Sequence, residues 1–208
     1  FPPGVVNIVT GDGPTCGGAL VAHRDVRRIA FTGSVPTGLE ITRRAGIKSL
    51  SLELGGKNPL IVFADVDIDK AAAAAVAGMN FTVSAGQSCG SNSRVFVHRS
   101  IREAFTRSVL ARAAKIRVGL PEREDTQMGP VVSRAQYERV MGYIGQGRRE
   151  GARVLRGGGH APGEALARGC FVDILFAAER VIIELDGWEV HGTRSAFDDD
   201  RWRRNELE

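Results

Sequence analysis

Short β-branched or apolar runs alternate with helical stretches from residue 5 to residue 155, and this rhythm constrains the fold more than any other feature. Val5-Val6-Asn7-Ile8-Val9 reads as a strand, ended by the turn chemistry of Gly11-Asp12-Gly13-Pro14. A small-residue helix is expected from Cys16 to Ala22, then a strand over Arg28-Ile29-Ala30-Phe31 halted by Thr32-Gly33-Ser34. Gly38 to Ala45 reads as a short helix, Ser49 to Leu54 as an alternating strand and Pro59 to Phe63 as an apolar one. A long Ala-rich helix opens at Asp69 and runs towards Phe81, with Asp67 or Asp69 as its N-cap. Arg94 to His98 is the next strand, and Ser100 is the expected cap of a helix over residues 101–116. Tyr137 to Gly151 follows as an amphipathic helix, then a strand over Ala152 to Leu155 before the Gly157-Gly158-Gly159 loop. Strands alternating with helices predict an α/β fold with parallel strands.

The bulk numbers narrow the class. At 208 residues, 43% hydrophobic and 25% charged, the chain has the composition of a globular protein with a real core. No apolar run is long enough to span a bilayer, so no membrane partner is expected. Cys16, Cys89 and Cys170 are far apart and odd in number, without metal-ligand spacing or a disulfide framework. A reducing cytoplasm is the natural setting for such thiols. The chain opens on Phe1-Pro2-Pro3 with neither an initiator Met nor a signal-like segment, and reads as a piece of something longer. Charge changes sign along it: residues 1–172 carry 23 Lys and Arg against 14 Asp and Glu, residues 173–208 carry 5 against 10. That switch suggests two unlike pieces.

Three constellations carry chemistry. In Gly86-Gln87-Ser88-Cys89-Gly90 a thiol stands among small residues just after the Ala-rich helix, where an electrophile can approach and backbone amides can face a reacting carbonyl. Alone, a Cys among Gly and Ser is more often unreactive filler. In Leu52-Glu53-Leu54-Gly55-Gly56-Lys57-Asn58-Pro59 a carboxylate at a strand end precedes a Gly-Gly turn, which suits a general base that must accept a proton from water. Alone, it is more often a solvated Glu. Phe31-Thr32-Gly33-Ser34 leads a strand into a helix N-terminus, whose N–H groups and dipole suit a pyrophosphate; alone it is an ordinary N-cap.

Taken together and in this order, these stretches resemble the aldehyde dehydrogenase superfamily, with Gly11-Asp12-Gly13-Pro14-Thr15 to Gly17 ahead of them. Met128-Gly129-Pro130-Val131-Val132 and the Gly157-Gly158-Gly159 loop fall where that family has similar residues. The likeness runs from residue 1 to about 172. It implies part of a Rossmann-like NAD(P)-binding domain over residues 1–52 and part of an α/β catalytic domain over residues 53–172. It further implies that Cys89 attacks an aldehyde to form a thiohemiacetal and that backbone amides near it hold the oxyanion. Hydride transfer to NAD or NADP leaves a thioester, and Glu53 activates the water that hydrolyses it to a carboxylic acid. Gly33 and Ser34 are implied at the cofactor pyrophosphate, Leu54 and Gly55 beside the nicotinamide. Cys16 and Cys170 lack this setting and are expected to be structural. The Gly11-x-Gly13-x-x-x-Gly17 spacing does not match the usual dinucleotide fingerprint and carries little weight.

Departures from the family pattern are part of the expectation. Whole members are more than twice this length and, as the resemblance implies, homo-oligomeric. A side-chain amide of the oxyanion hole, a Lys for the adenosine ribose, a Glu-Ile-Phe-Gly-Pro motif and an oligomerisation strand have no counterpart here. Glu53 and Cys89 are 36 positions apart, slightly more than in the commonest members.

After Cys170-Phe171-Val172 the pattern changes. Residues 173–208 read as a short β-α tail, a strand over Arg180 to Gly187 and a charged helix over residues 196–207. Val172-Asp173, Glu184-x-Asp186 and Trp188-Glu189-x-His191-Gly192 resemble nucleases related to very-short-patch-repair endonucleases. Asp173, Glu184 and Asp186 would then be Mg²⁺ ligands, with His191 as acid or base. The tail is acidic with only Arg201, Arg203 and Arg204 clustered, so nucleic acid is not an expected partner, and no metal site is assigned. Two readings therefore stand: a fragment of an aldehyde-oxidising enzyme, or a truncated endonuclease-like tail joined to an inactive dehydrogenase remnant.

Overall fold

The computed structural model describes residues 1–159 and the backbone of Ile174–Ala177. Helices and strands alternate along it in an α/β arrangement, and the chain divides into two compact units, one ending at Gly56 and the next beginning at Lys57.

In the first unit a π-helical turn over Gly13–Gly17 runs into α1 (Gly18–Ala22). Asp12 starts that turn by accepting from the Thr15 N–H at 2.7 Å and the Thr15 hydroxyl at 2.6 Å. Strands β1 (Arg28–Gly33) and β2 (Ser49–Leu54) are parallel, in register from Arg28 opposite Ser49 to Gly33 opposite Leu54. A parallel pair needs a crossover, and α2 (Val35–Ala45) provides it. The period of two puts Ile29, Phe31, Leu50 and Leu52 on one face, where they pack with Val21, Ile41 and Ala45, and leaves Ser49, Ser51 and Glu53 exposed on the other. Helix and sheet approach closely at Gly38, where a Cβ would come within 2.8 Å of Leu54 Cδ2.

The second unit repeats the pattern. Strands β3 (Asn58–Val62) and β4 (Asn92–Val97) are parallel, with α3 (Ile68–Gly78) and the single turn α4 (Phe81–Ser84) between them. Asp67 caps α3 by accepting from the Lys70 N–H at 3.0 Å. Ala72 and Ala75, both fully buried, let α3 lie tightly against α5 (Arg102–Ala113) in a core completed by Val62, Met79, Val97, Phe105 and Val109. Helix α6 (Arg134–Arg149) is capped by Ser133 and buries Tyr137 and Ile144 with Val131. Strand β5 (Arg153–Gly157) pairs with β6 (Ile174–Ala177).

Several expectations change. Residues 5–9 form no strand: Val5, Val6, Ile8 and Val9 are exposed and no described strand pairs with them, so their N–H and C=O groups have no ladder to join. Helix α2 starts at Val35 instead of Gly38, because Ser34 caps it and Pro36 tolerates the first turn. Ser100 does not cap α5; it lies in a 3₁₀ turn over Arg99–Ile101, where its N–H donates to His98 Nδ1 at 3.3 Å, and α5 ends at Ala113 instead of Ile116. The β5–β6 pair is antiparallel, a departure from the parallel strands expected throughout. Four residues of the segment read as tail, Ile174–Ala177, form its second strand. The expected strand over Arg180 to Gly187 and helix over residues 196–207 lie outside the described residues.

Candidate active site

Cys89 is exposed and occupies the first corner of a β-turn closed by the Ser91 N–H on the Ser88 carbonyl at 3.0 Å. Ser88 Oγ accepts from the Gly90 N–H at 3.2 Å. On the other side, Asn58 Nδ2 at the start of β3 donates to the Cys89 carbonyl, and also to the Ser91 carbonyl at 3.1 Å. Gln87 anchors the entry to the turn: its Oε1 accepts from the Val132 N–H and its Nε2 donates to the Ser84 carbonyl, each at 3.0 Å. The Cys89 N–H has no acceptor among the described residues, so it is free to face an electrophile at its own thiol.

Backbone conformation around this turn is unusual. Asn80, Ala85 and Gly86 have φ of +55°, +51° and +76°, bracketing α4 and delivering the chain to Gln87. Asn and Gly accept that region readily, whereas Ala does not. An open groove of about 530 Å³ lies beside it, lined by Phe81, Val83, Ala85, Gln87, Pro130 and Val132 among others.

In the first unit the parallel register brings Gly33, Ser34, Glu53, Leu54 and Gly55 to the carboxyl ends of β1 and β2. Ligands of open α/β sheets bind at such strand ends. Glu53 lies opposite Thr32 and is exposed, while Leu54 packs against Gly38 of α2. The first turn of α2 offers fewer donors than a generic helix start. Pro36 has no N–H and the Thr37 N–H is taken by Ser34 Oγ at 3.3 Å, which leaves Val35 as its one N–H without a partner among the described residues. A Cβ at Gly55 would meet nothing within 4 Å. Ser34 is exposed beside this N–H, so this edge offers an anion one hydroxyl and one N–H.

The chain matches the aldehyde dehydrogenase family over residues 1–177, well over half its length. The chain belongs to the aldehyde dehydrogenase family. The family match takes in β6 and the residues leading to it. Solved structures share its fold. HpcC from Thermus thermophilus is 41% identical, with a TM-score of 0.80 over 88% of this chain and 36% of its own. An aldehyde dehydrogenase from Bacillus cereus, solved as a point mutant, is 41% identical with a TM-score of 0.79 over 87% of this chain and 37% of its own. Betaine aldehyde dehydrogenase from Staphylococcus aureus, solved with NAD⁺, is 34% identical with a TM-score of 0.79 over 85% and 35%. The chain thus spans a little over a third of the length of these three proteins.

Among the sequence-derived site residues of this aldehyde dehydrogenase chain, Gly33, Ser34, Glu53, Leu54 and Gly55 belong to the first unit and Cys89 to the second. Cys16 is half-buried in the π-helical turn; Cys170, Asp173, Glu184, Asp186 and His191 lie outside the described residues. The groups of the nuclease resemblance beyond residue 177 also lie outside the family match. Among the described residues no group of three His, Cys, Asp or Glu side chains could hold a metal ion, and no helix is long and apolar enough to cross a membrane. Sequence reasoning passed over Asn58 and treated Gln87 only as a neighbour of the thiol. Asn58 stands before a proline, where an Asn reads as a turn marker, and its partners lie 31 and 33 positions further on.

Proposed function

We propose that this chain carries the nucleophile and the general base of an NAD- or NADP-dependent oxidation of an aldehyde to a carboxylic acid. The observation that carries the reading is the presentation of Cys89: an exposed thiol at a turn corner, its own N–H without a partner among the described residues. The Cys89 thiolate forms a C–S bond to the aldehyde carbon, and the carbonyl electron pair becomes an oxyanion held by the Cys89 N–H. The apolar groove bounded by Phe81, Val83 and Pro130 takes the hydrocarbon part of the aldehyde. A dinucleotide bound at the ends of β1 and β2 would supply the hydride acceptor. Ser34 and the Val35 N–H would hold its pyrophosphate beside Gly33, with Leu54 and the open Gly55 next to the nicotinamide. Glu53 takes a proton from the water that attacks the Cys89 thioester, releasing the acid and restoring the thiol.

The test is aldehyde-dependent reduction of NAD⁺ or NADP⁺ by the purified chain, beside Cys89→Ala and Glu53→Gln. Cys89→Ala abolishes it. Glu53→Gln retains a first-turnover burst but slows steady turnover by at least about 10²-fold, since general base catalysis contributes roughly 10²–10⁴. Reduction that survives in Cys89→Ala removes the thiol from the mechanism.

A further inference from the structure

The peptide plane between Cys89 and Gly90 is held at both poles. Its carbonyl takes a hydrogen bond from Asn58 Nδ2, and its N–H donates to Ser88 Oγ. The same Asn58 amide donates to the Ser91 carbonyl, so one side chain grips the turn on both sides of its second corner. Ser91 is buried at 8% exposure, and its hydroxyl accepts from Asn80 Nδ2 at 3.3 Å, which anchors the far end of the turn. Asn58 reaches this position because β3 breaks register between Asn58 and Pro59. Pro59 has no N–H for the ladder, and an irregularity of this kind re-aims the side chain next to it.

We propose that Asn58 is the positioning residue of the Cys89 thiol: by holding the carbonyls of Cys89 and Ser91 it fixes the turn in which the Cys89 N–H and thiol address one carbonyl together. The inference rests on the reading of Cys89 as a nucleophile towards carbonyls. The Cys89 N–H lies in the Ser88–Cys89 plane, whose carbonyl accepts from the Ser91 N–H. With Asn58 on the carbonyls of Cys89 and Ser91 that closure holds, so the N–H stays on the developing oxyanion and no reorganisation is required as charge appears. Without Asn58 two carbonyl oxygens lose this donor, and the turn whose Ser91–Ser88 closure sets the Cys89 N–H can open. A thiol reaction that develops no oxyanion does not depend on this alignment.

That difference supplies the test. In acylation by p-nitrophenyl acetate the thiolate forms a C–S bond to the ester carbon through a tetrahedral oxyanion, and p-nitrophenolate leaves with the electron pair of the broken C–O bond. In alkylation by iodoacetamide the thiolate displaces iodide from a saturated carbon, with no oxyanion. Both rates are measured at Cys89 in the full chain for wild type, Asn58→Leu and Asn58→Ala. Amide hydrogen exchange at Gly90 and Ser91 is followed in the same proteins.

Acylation in both variants falls about tenfold or more, the scale expected when an aligned group shifts by a fraction of an ångström, while alkylation stays within about twofold. Exchange at Gly90 and Ser91 quickens without a matching change in α3 or α5. A purely structural role moves both thiol reactions together and overturns the proposal, as do variants that fail to fold. Unchanged exchange at Gly90 and Ser91 overturns it as well. If wild type shows no Cys89-dependent acylation, the functional reading fails and with it the positioning role, whereas a Cys89-dependent acylation that Asn58 does not alter overturns the positioning role alone.

Discussion

Ala85 holds φ at +51° at the end of α4, four residues before the proposed nucleophile, where its Cβ meets the crowding that makes left-handed conformations costly. Glycine relieves that cost, so Ala85→Gly raises stability by about 1 kcal/mol, read as a higher denaturant midpoint with unchanged slope. Strain kept beside a reactive group is a recurrent feature of functional sites. Asp12 makes a different residue-scale prediction. The hydrogen bonds from the Thr15 hydroxyl and N–H hold its carboxyl below the usual carboxylate range. A carboxyl with a depressed folded pKa stabilises the fold above its unfolded pKa, and the contribution is lost as pH falls through the folded value. Asp12→Asn is therefore less stable than wild type at neutral pH, and the gap closes in acid below the folded pKa. A gap that widens on acidification contradicts the assignment. At this scale Cys89 and Glu53 stood out in the sequence as candidates because each lay in a stretch whose neighbours narrowed its use. Asn58 was not legible, because its partners are close only after β3 and β4 pair.

The elements follow from local chemistry where one face is buried. Strand β2 was readable because Leu50 and Leu52 alternate with Ser49, Ser51 and Glu53, and β1 because Ile29 and Phe31 stand two apart in a short run; these four pack under α2. The start of α2 was misread because Val35-Pro36 looks like punctuation, although a proline fits a helical first turn. Residues 5–9 show the opposite failure: β-branched composition without a partner strand does not make a strand. In the second unit, Phe105 of α5 is 4% exposed and packs into the cluster built on Val62, Ala72 and Ala75. Phe105→Ala leaves a cavity there and costs about 3–5 kcal/mol, measured by chemical denaturation. A loss of only a few tenths of that would mean α5 does not close this core.

For the whole molecule, family membership rests on residues 1–177, and the charge switch along the chain falls near the end of that match. Order and spacing of several short stretches made the family legible, since four weak motifs in sequence exclude most alternatives. The boundary of the match was less legible: Ile174–Ala177 read as foreign, yet it forms the strand that pairs with β5, and antiparallel pairing across 16 intervening residues leaves little local trace.

The central claim is that Cys89 is the group that meets the aldehyde. Its most direct test is site-resolved alkylation of the full chain by iodoacetamide, with and without a saturating aldehyde. Cys16, half-buried in its turn, serves as the internal reference. The account predicts that the aldehyde slows labelling of Cys89 at least several-fold by engaging its thiol, while labelling of Cys16 is unchanged. Equal labelling of Cys89 with and without aldehyde contradicts it.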